Sequence, residues 1–284
     1  AISADTFSHR DGRLVQTGAG AGQLSSTGLL DNQRGQIASN GALDLTAGSI
    51  DNRGGDILTS GTQNLTARLG AHLDNRDRGR LRAGATLDLG AASVDNSGGE
   101  LVAGAALGIT LSNALINVDG FVVGHNGVSV QAGSLDNNRG TLAATLGAAS
   151  VQIGTTLDNH AGKIGAHQQL TVSAASLDNR AGTLAASSLT IDAGRGKIDN
   201  RGGQLVAGGA QDAGQLTLDS GLVDNTGGLI QARGRLALDT HDQALINRET
   251  AGAGGILGGA ALSVRSAALD NSQGYIGSQK GLEI

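Results

Sequence analysis

Cysteine, proline, methionine and tryptophan are absent from this chain of 284 residues, and only Phe7, Phe121 and Tyr275 are aromatic. Without cysteine there is no disulfide framework and no thiolate metal site. So little aromatic volume also argues against a compact single core, which normally draws on large rings. The apolar content of 39% is almost entirely Leu, Ile, Val and Ala, so the core must be long, thin and filled by small side chains. No apolar run reaches the ~18 residues that would suggest a bilayer span, and no charged-then-apolar leader opens the chain. With no initiator methionine either, the chain reads as an internal fragment. Basic charge is not in excess. The net charge of −5 argues against a general nucleic-acid binder, which needs a basic face to neutralise phosphates.

What the sequence has is glycine, 48 residues of it, and a repeat. The dipeptide Asp-Asn begins at Asp31, Asp51, Asp74, Asp95, Asp136, Asp158, Asp178, Asp199, Asp224 and Asp270, and two further copies read Ile-Asn. The asparagines are Asn32, Asn52, Asn75, Asn96, Asn117, Asn137, Asn159, Asn179, Asn200, Asn225, Asn247 and Asn271, in steps of 20, 23, 21, 21, 20, 22, 20, 21, 25, 22 and 24 residues. Glycine stands three residues after the asparagine in ten of the twelve copies, from Gly35 to Gly274. An aliphatic residue stands five after it, as in Ile37, Leu101 and Leu205. A degenerate thirteenth copy opens the chain at Phe7, with Gly12 and Leu14 in step.

Side chains alternate along a strand with period two, which turns the repeat into faces. After Asn32, the residues predicted to point inward are Ile37 and Ser39, then Leu43, Leu45 and Ala47, then Ile50 and Asn52. Three short strands per unit follow, with glycine-containing bends between them. A unit of about 21 residues is too short for a strand–helix–strand crossover, and no 3.6-residue pattern supplies a helix. The remaining solution is an all-β solenoid, a three-sided parallel β-helix of about 12 coils whose like sides stack as parallel sheets. Parallel crossovers favour the right hand. The whole of 1–284 is expected to be one repeat block, an elongated monomer. The longer units place their excess near 209–214 and 249–255, where loops are expected.

The run Ile198-Asp199-Asn200-Arg201-Gly202-Gly203-Gln204-Leu205-Val206-Ala207, echoed throughout, resembles the haemagglutinin repeats of two-partner-secreted exoproteins. Those are the filamentous haemagglutinin adhesins and the contact-dependent growth-inhibition effectors. The resemblance covers essentially the whole chain. It implies a right-handed parallel β-helix within a much longer protein, exported through an outer-membrane transporter partner and displayed on, or released from, a Gram-negative cell. The function expected on that basis is a structural rod or stalk that presents binding or toxin domains at a distance. An alternative is an adhesive surface that itself binds a host glycan or a neighbouring bacterial envelope. A remote one is a polysaccharide-acting β-helix enzyme.

Candidate sites divide accordingly. Each asparagine follows an inward aliphatic residue by two and is predicted to point inward at a corner. There its amide can satisfy bend backbone and stacked neighbours as an internal ladder. The preceding aspartates are predicted to face outward as solvated charges, offset by Arg53, Arg76, Arg180, Arg201 and Arg248. An extra residue enlarges the corner at Arg76-Asp77-Arg78-Gly79-Arg80-Leu81-Arg82, and Arg76, Arg78, Arg80 and Arg82 form a basic knob that could contact an anionic ligand. Phe121 and Val123 flank an inward Val122 and are expected to be exposed. The six histidines are scattered, with no metal-ligand spacing, no nucleophile elbow and no complete phosphate loop. No catalytic residue, cofactor or metal is therefore assigned.

Overall fold

In a computed structural model the chain is described at residues 1–209, 214–252 and 254–284. Its regular structure there is β-strand, wound as a parallel β-solenoid of about 13 turns with about 21 residues in each. The degenerate opening copy accounts for the turn beyond the twelve expected. Phe7 pairs with Leu30, and Leu14 pairs with Ile37. The expected loop near 209–214 falls largely on residues 210–213, outside the described residues. In the other long unit Thr250 is buried, whereas Glu249, Ala251 and Gly252 are exposed.

The chain divides into two compact units, residues 1–136 with 141–145, and residues 137–140 with 146–284. In the first unit each turn supplies one strand to each of three parallel ladders. Gln36–Ser39, Leu43–Ala47 and Ser49–Asp51 are the three strands of one turn. Each pairs in register with its counterpart in the next: Ile37 with Ile57, Leu45 with Ala67, Ile50 with Leu73. In the second unit the same arrangement holds, except that Ala148–Asp158 and Gln169–Asp178 run straight through the bend between two sides. A register shift between Ile153 and Thr156 absorbs the resulting mismatch.

Alternation places the core where the sequence puts its aliphatics. Ile37, Leu43, Leu45, Ala47 and Ile50 are all buried, as are Val122, Val128, Val130, Ala132 and Leu135. Each Leu or Ile so buried stabilises the stack by roughly 1.5–3 kcal/mol. Only one row of such side chains fits inside a turn, so the turn depends on its neighbours to cover both faces. Phe121 lies on the opposite face of its strand and is half exposed.

The corner after each asparagine needs one residue with positive φ. That residue lies two after the asparagine: Arg34, Gly54, Gly98, Asp119, Arg139, Ala161, Ala181, Gly202 and Gly227 all occupy it. The enlarged corner uses two in succession, Asp77 at φ 57° and Arg78 at φ 66°. Gly79 thereby returns to the place that glycine holds in the other turns.

Candidate functional site: the asparagine corner

The Asp-Asn pair splits across the corner. Ile198 and Asn200 point inward and are fully buried, as alternation requires. From inside, the Asn200 amide donates to the Gly203 carbonyl of its own bend at 3.3 Å and to the Leu229 carbonyl of the next turn at 3.3 Å. It also donates to Asn225 Oδ1 at 2.7 Å and accepts from the Asn179 amide at 2.7 Å. The same amide-to-amide step links Asn32, Asn52, Asn75, Asn96 and Asn117 in the first unit at 2.7–2.8 Å. In the second unit it links Asn137, Asn159, Asn179, Asn200, Asn225, Asn247 and Asn271 at the same spacing. Asn271 is exposed and the other eleven are buried.

Each step runs the same way, donor first, so the ladder in the first unit begins on an acceptor. His9 stands where the preceding asparagine would be. Its Nε2 lies 3.2 Å from the Gln36 carbonyl, the contact that Asn32 makes to Asp56 one turn later. It does not reach Asn32 Oδ1, which is buried without a partner among the described residues.

The glycine three residues after the asparagine is required by space. A Cβ built on Gly203 would stand 2.1 Å from the Asn179 carbonyl oxygen and 2.7 Å from Asn200 Oδ1. Stacked corners therefore approach too closely for any side chain.

The aspartates point away from the core, but they are not the solvated charges the sequence suggests. Asp199 is only 7% exposed, and Asp31 likewise. The Asp199 carboxylate accepts the backbone N–H of Arg201, two residues on, at 3.4 Å, and the Arg201 guanidinium folds back over it at 2.7 Å. Lys197 donates from the other side at 3.0 Å. Asp51, Asp74 and Asp178 accept the corresponding backbone N–H and are capped by Arg53, Arg76 and Arg180. Some arginines also reach the next turn: Arg53 lies 3.4 Å from Asp74, and Arg76 lies 3.6 Å from Asp95.

Burial alone would push the Asp199 carboxyl up, but the hydrogen bonds from Arg201 and Lys197 outweigh it and hold the pKa at about 2. Asp51, Asp74 and Asp178 are lowered in the same way, their desolvation overcome by their arginines. Folding thus depresses these values below the ordinary 3.8. Their contribution is present in full above about pH 4 and is lost as pH falls towards 2. Screening at the half-exposed arginines leaves on the order of 1 kcal/mol for Asp199. Urea midpoints measured at pH 5 and pH 2.5 should fall with acid, and by a smaller amount in Asp199→Ala. An equal fall in both proteins would remove Asp199 from the effect.

The basic knob is largely neutralised. Leu81 is buried with Arg80 and Arg82 on either side of it. Arg80 pairs with Asp56 of the preceding turn, Arg82 pairs with Glu100 of the following one, and Arg76 pairs with Asp74. Arg78 is the member of the four with no ion-pair partner among the described residues. Among those residues no three His, Asp or Glu side chains converge as metal ligands.

The model of the haemagglutinin repeat matches residues 17–68, 64–147, 143–238 and 246–284. No curated protein and no solved structure matches the chain.

Proposed function

Because the chain belongs to the haemagglutinin-repeat family, we propose that it is a non-catalytic structural rod or stalk within a large secreted or cell-surface exoprotein. In this reading the parent is an adhesin or a contact-dependent growth-inhibition effector of a Gram-negative bacterium. It is exported through an outer-membrane transporter partner, and it holds binding or toxin domains away from the surface. Supporting this, the residues that define the repeat all turn to one another. The asparagine bonds the next turn, the glycine makes room for the previous one, and the aspartate closes its own corner. A repeat whose signature positions face inward or are capped uses them to space and stiffen the stack.

A spacer works by length, so removing whole turns should shorten the protein without unfolding it. Deleting residues 160–225 joins Asn159 to Thr226 and takes out three repeats. The variant should keep its β-sheet circular dichroism and lose ~14 Å of maximum dimension in small-angle scattering, at ~4.8 Å per stacked strand. Loss of folded protein, or an unchanged dimension, would contradict the reading.

A further inference from the structure

One side of the first unit carries apolar side chains where a solvated rod would carry charge. Its ladder is built from Arg13–Gln16, Gln36–Ser39, Asp56–Thr59, Arg80–Ala83, Glu100–Ala103 and Phe121–Gly124. Two outward columns run side by side through these six turns. In one, Val15, Ala38, Leu58, Arg82, Val102 and Val123 are successive register partners. In the other the order is Arg13, Gln36, Asp56, Arg80, Glu100 and Phe121. Val15 is 41% exposed and Phe121 50%. The one charge in the first column belongs to Arg82, whose guanidinium pairs with Glu100 in the second. Its methylene stem therefore continues the apolar row.

The second column is complementary to its own reverse. From Arg13 to Phe121 it runs cation, amide, anion, cation, anion, aromatic ring. Lay a second copy face to face and antiparallel, about a two-fold axis between Asp56 and Arg80, and every member meets a suitable group twice. Asp56 meets Arg80 as an ion pair, beside the Asp56–Arg80 pair within each copy. Gln36 meets Glu100; its Oε1 already accepts from Arg13 Nε at 3.0 Å, leaving its NH2 to donate to the carboxylate. The Arg13 guanidinium meets the Phe121 ring, a cation–π contact. In the apolar column the same axis sets Val15 on Val123, Ala38 on Val102 and Leu58 on the stem of Arg82. A parallel pairing exchanges the columns at equal height and sets Arg80 of one copy against Arg82 of the other, which repel.

We propose that two copies of the chain dimerise through this face, side by side and antiparallel, in place of the monomer expected from the sequence. The dimer adds to the spacer role without depending on it. Six turns at ~4.8 Å and four residues at ~3.3 Å give a face of about 30 by 13 Å. That is about 400 Å² per copy, half of a standard interface, so the dimer is a weak one. Sedimentation equilibrium of the full chain should show a reversible monomer–dimer equilibrium. Asp56→Arg sets arginine against Arg80 across the axis, and Arg80→Asp sets aspartate against Asp56. Each should weaken dimerisation about tenfold with unchanged circular dichroism. Mixed one to one, the two variants restore opposite charges at both crossings and should form a heterodimer at least as tight as the parent dimer. Phe121→Ser removes an exposed ring and should also weaken dimerisation, which tests the face without disturbing its ion pairs. A parent chain that stays monomeric up to ~1 mM, a dimer that Asp56→Arg, Arg80→Asp and Phe121→Ser leave equally tight, or a mixture that stays monomeric would overturn the proposal.

Discussion

Gly203→Ala should destabilise the second unit by ~3 kcal/mol or more, although it adds a single methyl group. The methyl would sit 2.1 Å from the Asn179 carbonyl oxygen, 2.7 Å from Asn200 Oδ1 and 3.0 Å from Asn179 Nδ2. None of these can swing aside. The carbonyl belongs to the corner below, and both amides are held in the ladder. Overpacking a well-filled interior usually costs about 1–3 kcal/mol, and more where backbone must move. Here relief means separating two turns, which also lengthens the hydrogen bond from Gln204 N–H to the Gly182 carbonyl, now 2.8 Å. Gly202→Ala is the comparison. Gly202 has φ 62° and open space around its Cβ position. Alanine already stands at this corner position with φ 52° in Ala161 and Ala181, so Gly202→Ala should cost only about 1 kcal/mol. Urea denaturation that ranked Gly202→Ala as the more damaging would misplace the close approach.

Asn200→Ala should be similarly damaging, for an electrostatic reason. The substitution strips donors from the Gly203 carbonyl, Asn225 Oδ1 and the Leu229 carbonyl, and an acceptor from Asn179 Nδ2. Every one of these contacts lies at a buried or part-buried corner, where an unmade hydrogen bond costs about 1–3 kcal/mol. Two of the carbonyls keep backbone or neighbouring partners, so a total of ~3–5 kcal/mol is expected. Asp199→Ala removes a capped carboxylate and one bond to the Arg201 N–H, and should cost ~1–2 kcal/mol. That exceeds the few tenths expected of a solvated charge, yet leaves the order Asn200 above Asp199. A reversed order in side-by-side denaturation would mean that the faces have been exchanged.

The solenoid and its faces are legible in the sequence because both of its periods are written there. The step of about 21 residues stacks Asn179, Asn200 and Asn225, and the period of two sends Ile198 in and Asp199 out. Other features depend on neighbours two residues or one turn away. Asp199 is hidden by Arg201 and Lys197, so its burial is invisible in the alternation that points it outward. The pairs Arg80–Asp56 and Arg82–Glu100 exist only once the register of the turns is fixed. The sequence places glycine in the bends of the repeat. In the structure the positive φ falls one residue earlier, on residues as ordinary as Arg34 and Ala181, and the glycine answers to crowding instead.

The stacking itself can be measured with a ruler. Ser150, Thr171, Thr190, Thr217, Ala237 and Ser263 are successive register partners along one outward column of the second unit. The chain has no cysteine, so nitroxide labels can be placed in pairs: Ser150→Cys with Thr217→Cys, with Ala237→Cys, or with Ser263→Cys. Thr217 to Ala237 spans 20 residues of sequence and Ala237 to Ser263 spans 26, yet each is one turn. Double electron–electron resonance should give three distances that rise in two equal steps of ~4.8 Å. Unequal steps that follow sequence separation, or a broad distribution with no resolved distance, would contradict a stack of turns in register.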